Sequence, residues 1–208
     1  MWFIALKGLP GCGKSTVGRA LSRQQGWPLI DKDDIKDILE AQMPESGPLA
    51  YATMFIIARR QLLQGLDVIC DSPLNFPVSY EKARSIAEET GATLAIIECR
   101  CSDPQAWQRR IDARKALHLP SHHQTDWQAL QAILPQMRAT ASYPITDLHL
   151  IVDTMRPLVE VVGEIVGWIE QISSHEKASS ACHSERSEES EATTWTAWPI
   201  RDSERSEE

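Results

Sequence analysis

Apolar residues along this chain fall into short continuous runs, and stretches with helical spacing separate them. "WFIAL" (Trp2–Leu6), "DVICD" ending at Asp71, "TLAIIECR" (93–100) and "LHLIVDT" (148–154) have the length and composition of buried strands. Pro28–Ile30 reads as a shorter extended piece. Between them, Val17, Ala20 and Leu21 share one helical face before Gly26, and Ile35, Ile38 and Leu39 share another. Further helices are predicted over Pro48–Leu63, Val78–Glu89, Pro104–Leu117 and Trp127–Thr140, the last interrupted near Pro135, and over 157–172. Strands that alternate with helices predict an α/β fold, a central parallel sheet covered on both faces. In such sheets ligands gather at the carboxyl ends of the strands, which collects Gly8–Thr16, Asp33, Asp71 and Asp153 onto one rim.

The periodic pattern runs out near Ile172, and this divides the chain into a folded domain over 1–172 and a low-complexity tail over 173–208. "SERSEE" occurs at Ser184–Glu189 and again at Ser203–Glu208. From His175 onward there are nine acidic and four basic residues, so the tail carries most of the chain's net charge of −8. A segment this poor in apolar surface cannot offset its ordering entropy and is predicted to be disordered, with Trp195 and Trp198 free to dock or to do nothing. The acidic balance disfavours a non-specific grip on nucleic acid. No apolar run reaches membrane-spanning length, and Met1 leads straight into the first strand without an export signal, so a cytoplasmic location is expected. Five scattered cysteines suit a reducing compartment, and Cys99 and Cys101 are too close together for a zinc site.

Candidate chemistry centres on "GLPGCGKST" (Gly8–Thr16), which follows the first strand and opens the first helix. Gly8, Gly11 and Gly13 allow the backbone to turn and approach a ligand closely, with Pro10 and Cys12 between them. The backbone N–H groups up to Thr16 then form an anion nest at a helix N-terminus. Lys14 supplies a full charge to the β/γ-phosphates, and Ser15 offers a hydroxyl to Mg²⁺. ATP and Mg²⁺ are the expected ligands. No Asn-Lys-x-Asp segment and no Asp three residues before a Gly is present, which argues against a GTPase. "VICDSP" lacks the Asp-Glu pair of a motor ATPase, which favours transfer to a bound acceptor over hydrolysis.

"GLPGCGKST", "DKDDIKDIL", "VICDSPLN" and "RRIDAR", in that order, resemble the P-loop kinases grouped with polynucleotide kinase, chloramphenicol phosphotransferase and the zeta-toxin kinases. The resemblance covers residues 1–172 and implies a P-loop NTPase three-layer sandwich with a helical lid. It implies that Asp33 is the general base on an acceptor hydroxyl, with Asp34 left to cap the helix. Asp71 would hold Mg²⁺ through water or organise the acceptor site. Arg110 and Arg114, four apart on one helix face, would place guanidinium groups on the transferring phosphate, while Arg109 points elsewhere. Asp153 and Thr154 resemble the adenine-side loop, and Asn75 has no assigned role. Lys36 stands where the polynucleotide kinase pattern has Arg, which weakens a nucleic-acid acceptor and favours a small-molecule hydroxyl. A 5′-hydroxyl polynucleotide kinase and an ATP-binding switch remain alternatives. His118, His122 and His123 read as solvent-facing loop residues.

Overall fold

Five strands form one wholly parallel sheet in this computed structural model: β1 (Trp2–Lys7), β2 (Leu29–Asp31), β3 (Val68–Asp71), β4 (Thr93–Arg100) and β5 (Leu148–Asp153), in the order β2-β3-β1-β4-β5. The structure describes residues 1–40, 43, 46–116 and 126–191, with side chains described through His175. The helices are α1 (Lys14–Gln25), α2 (Lys32–Glu40), α3 (Gly47–Leu62), α4 (Pro77–Thr90), α5 (Pro104–Ala116), α6 (Trp127–Ala141) and α7 (Leu158–Glu191). The predicted α/β architecture is therefore observed. His118, His122, His123, Trp195, Trp198 and the second "SERSEE" lie outside the described residues.

The strands read as unbroken apolar runs because both faces of the sheet are covered. Phe3, Ala5, Leu94 and Ile96 face one side, where Met54 and Ala58 of α3 and Tyr80 and Ala83 of α4 complete a continuous core. Ile4, Leu6 and Ile97 are fully buried on the alternate positions. There α1 packs so closely that a Cβ on Gly18 would lie 2.7 Å from Leu6 Cδ1. Each of these buried aliphatic side chains contributes about 1.5–3 kcal/mol relative to exposure.

Two helices depart from expectation. α6 runs unbroken through Pro135. Pro135 is exposed, so water can reach the carbonyl that loses its N–H partner, while Leu130, Leu134 and Met137 pack beside Trp107 and Ile111 and hold both halves in line. α7 extends to Glu191, past the expected boundary at 172. Ser173 and Ser174 donate to the carbonyls of Ile169 and Glu170, so these polar side chains are satisfied within the helix. The chain divides into two compact units, Met1–Val166 and Gly167–Glu208, and all site residues below belong to the first.

Tyr80 secures the approach to β5. Its hydroxyl accepts from the backbone N–H of Thr146 (2.9 Å) and Asp147 (3.2 Å) and donates to the Asp147 carboxylate, while its ring stacks on Tyr143. Removing the hydroxyl alone strands two backbone donors. Tyr80→Phe should therefore lower the unfolding free energy by roughly 1–3 kcal/mol in a denaturant titration, with the ring packing retained.

Candidate active site

The loop between β1 and α1 is clamped on several sides. Gly8 has φ +144°, and a Cβ there would lie 2.5 Å from the Cys99 carbonyl oxygen and 2.7 Å from Cys12 Sγ. Gly11 has φ +76°, and its Cβ would meet Ile111 Cδ1 of α5 at 2.5 Å. Only glycine satisfies both the backbone angle and the space at these two positions. Trp107 Nε1 donates to the Pro10 carbonyl at 2.7 Å, and Thr154 Oγ1 donates to the Cys12 carbonyl at 2.7 Å. The Cys12 side chain is buried against Gly8, so this residue can offer a ligand only its backbone. Gly13 caps α1, whose first residues Lys14, Ser15 and Thr16 stand at the positive end of the helix. Lys14 Nζ donates to the Leu9 carbonyl at 3.1 Å, which folds the ammonium group over its own loop.

A cavity of about 460 Å³ opens beside this loop, lined by Gly11, Gly13, Thr16, Arg110, Arg114 and Thr154, with Met155 and Arg156 beyond. Arg110 and Arg114 thus share one face of α5, as their spacing predicts, and exposed Arg109 approaches Asp103 instead. The two arginines differ in their bonding. Arg110 is committed to Thr154, donating to Oγ1 at 2.9 Å and to the carbonyl at 2.8 Å. Burial holds the Arg114 guanidinium below its ordinary pKa, and the like charges of Arg19 and Arg110 add to the effect. Arg114 remains charged, and an anion in the cavity relieves that cost. Thr154 links α5, β4 and the loop, since its hydroxyl also reaches the Arg100 carbonyl at 3.1 Å.

Carboxylates gather where β2 and β3 end side by side, with Asp31 in register with Asp71. Asp31 Oδ1 accepts from Asp33 N–H at 2.9 Å and so performs the capping role that sequence reasoning gave to Asp34. The reason is the helix start: α2 begins at Lys32, which puts Asp34 inside its first turn. Asp33 pairs with Lys32 at 2.6 Å, and Lys32 in turn lies over the Tyr51 ring. Asp71 is 3% exposed, and its Oδ2 has no hydrogen-bond partner. Asn75 Oδ1, on the segment after β3, is likewise buried without a partner among the described residues. Acceptor oxygens so placed are satisfied by a water, a donor or a cation.

Asp31 is the residue that sequence reasoning missed. Burial, with repulsion from Asp71, raises its pKa from 3.8 to about 6. Its position as the last residue of β2, opposite the last residue of β3, was the available signal. A second unforeseen group comprises Lys7 at the end of β1, Glu98 two residues before the end of β4 and His149 near the start of β5. Lys7 Nζ lies 3.1 Å and His149 Nε2 3.2 Å from Glu98 Oε2, while Arg100 Nε donates to Oε1 at 2.7 Å.

A parallel sheet in this order, with a glycine-rich loop cradling a helix N-terminus at its carboxyl rim, defines a P-loop nucleotide-binding fold of the kinase type. Residues 3–142 match the AAA domain family, and the chain belongs to it. Among solved structures, a candidate kinase from Chloroflexus aurantiacus J-10-fl is 23% identical, covers 82% of this chain and 97% of its own, and superposes with a TM-score of 0.67. A gluconokinase from Sinorhizobium meliloti 1021 is 20% identical, covers 86% and 97%, and gives 0.57. A shikimate kinase from Paracidovorax citrulli (strain AAC00-1) is 62% identical over 32 residues, which span 15% of this chain and 18% of that relative. No helix among the described residues is long and apolar enough to cross a membrane.

Because the folded state holds the Asp31 proton more tightly than the unfolded chain, this group's contribution to stability is present below about pH 4 and is lost as pH rises towards about 6. In buffer containing a chelator, Asp31→Asn should remove that loss. Melting temperatures measured from pH 4 to pH 7 should diverge steadily in favour of the variant.

Proposed function

We propose that the protein is an ATP-dependent phosphotransferase that moves the γ-phosphate of ATP to a hydroxyl of a small molecule. The observation that carries this reading is the cavity in which Gly11, Gly13 and Thr16 of the loop meet the half-buried cation of Arg114. Phosphoryl transfer needs positioning and charge neutralisation more than covalent chemistry, and these groups supply both. The loop amides, from Gly8 to Thr16, cradle the phosphates. Lys14, released from the Leu9 carbonyl, places its ammonium group on the β/γ-phosphates. Arg114 lies against the transferring group, and Arg110 positions the nucleotide side through Thr154.

Asp33 takes the proton of the acceptor hydroxyl as its oxygen bonds to the γ-phosphorus and the bond to ADP breaks. Lys32 holds that carboxylate in place. Mg²⁺ fits the donors present: the Ser15 hydroxyl, the unpartnered buried oxygen of Asp71 and the neighbouring Asp31 are hard oxygen ligands, and a divalent cation relieves the repulsion between the two carboxylates. When bound it would neutralise charge on the β- and γ-phosphates.

A small acceptor agrees with relatives described as kinases of gluconate and shikimate. Lys36, which replaces the polynucleotide kinase arginine, pairs with Glu40 on its own helix, and this offers no support for a nucleic-acid acceptor. The expected location is the cytoplasm.

The reading is tested by transfer from γ-labelled ATP to a panel of sugars, sugar acids, nucleosides, aminocyclitols and oligonucleotides. Transfer to a small molecule should be lost with Lys14→Ala. Asp33→Asn should lower kcat by roughly 10²-fold or more with ATP affinity kept, and Arg114→Ala should lower it on the order of 10³-fold. Undiminished turnover in Asp33→Asn would remove Asp33 as the base, and labelling of oligonucleotides alone would replace the small-molecule acceptor.

A further inference from the structure

A second cavity, of about 570 Å³, lies on the other side of the phosphate loop, where Gly8, Leu9 and Cys12 form part of its wall. Its composition is unbalanced. Among the described residues, Lys7, Arg100 and Arg138 bring three cations to it, and Glu98 is its one carboxylate. Lys7 and Glu98 are 6% and 8% exposed, so the floor of the cavity is a buried ion pair. Arg100 and His149 crowd onto the same carboxylate. Glu98 is held as the anion, because the Arg100 hydrogen bond and the Lys7 charge outweigh the burial that pushes its pKa up. Burial keeps the His149 ring below its ordinary value, so at neutral pH it adds no charge.

One carboxylate therefore serves two buried or adjoining cations, and Arg138 on α6 has no hydrogen-bond or ion-pair partner among the described residues. A concave site with excess positive charge is completed by an anion, and a low-dielectric wall strengthens that attraction. Trp107, Tyr143, Ile145 and Leu9 provide the apolar remainder. An independent feature points into the same space: Asn75 is 4% exposed, lines the cavity, and leaves its Oδ1 without a donor. A hydroxyl group of a ligand supplies one.

We propose that this cavity binds a hydroxyl-bearing organic acid, its anionic group facing Lys7, Arg100 and Arg138 and one hydroxyl donating to Asn75. The site stands on its lining charges and on Asn75, independently of the phosphotransferase reading, whose base Asp33 is not among its lining residues. The arrangement also separates the two ligands, since the nucleotide cavity with Arg110 and Arg114 shares none of these charged groups.

The test uses the full chain and matched probes of one shape: 3-hydroxybenzoate, neutral 3-hydroxybenzamide, and 3-hydroxyphenyl phosphate, with glycerate, glycerol and glycerol 3-phosphate as a smaller set. Binding is read by calorimetry at constant ionic strength, and labelled transfer is read in parallel. In at least one set an acid should bind roughly tenfold or more tightly than its neutral counterpart. The better of carboxylate and phosphate identifies the head group. Arg138→Gln, at an exposed position, should abolish that preference with the fold intact, and Arg138→Lys should restore part of it. Equal binding of acids and neutral probes, or an acid preference untouched in Arg138→Gln, overturns the proposal. Selective acid binding without transfer to any acceptor counts against the phosphotransferase reading and leaves the anion site standing.

Discussion

The phosphate loop keeps its shape because its neighbours leave its backbone no alternative. Gly8 sits against the Cys99 carbonyl of β4 and Gly11 against Ile111 of α5, at distances that a side chain could not tolerate. Trp107 and Thr154 hold two successive parts of the loop by their carbonyls. The bonding is economical, for a carbonyl that is tied outward turns its peptide N–H towards the space where an anion would sit. The loop is therefore preorganised by tertiary contacts from β4, α5 and the segment after β5. Its glycines are permissive, and the surrounding elements select the conformation.

Electrostatic imbalance then distributes the chemistry along the rim. Where β2 and β3 end, two carboxylates face each other and one cannot ionise at its ordinary pH, which leaves a place for positive charge. On α5 the reverse holds, for Arg114 is half-buried near the like charges of Arg19 and Arg110. Beneath the loop, Lys7 and Glu98 form a buried pair whose desolvation is repaid only by close geometry and additional hydrogen bonds, and Arg100 and His149 supply these. The carboxylate pair and Arg114 are thus the charges that the fold leaves least compensated. Conserving stability alone would favour their removal, so their presence in one rim is a functional signature.

The alternation of strands and helices was legible in the sequence because burial on both faces writes each strand as an unbroken apolar run. The phosphate loop was legible because backbone geometry at Gly8, Gly11 and Gly13 restricts the residue type. Arg110 and Arg114 were correctly placed on one face, but their different bonding depends on Thr154, 44 positions from Arg110, and spacing along α5 carries no trace of it. Asp31 escaped notice because its partner across the sheet, Asp71, is brought beside it only by the β2–β3 register. Lys7, Glu98 and His149 each look like an isolated polar position in an apolar strand, and only the order β1-β4-β5 turns them into one cluster. α6 passed through Pro135 because packing on Trp107 and Ile111 outweighed a local cost that the sequence states plainly.

The central claim, a loop preorganised by its neighbours to hold the phosphates of ATP, is tested most directly by calorimetric titration of a non-hydrolysable ATP analogue with Mg²⁺ into the wild-type protein and Gly11→Ala. The expected result is saturable binding by the wild type and its loss in the variant, because a side chain is strained at φ +76° and its methyl group would also press on Ile111, which displaces the loop. Absence of binding by the wild type, or undiminished binding by a folded Gly11→Ala protein, would contradict it.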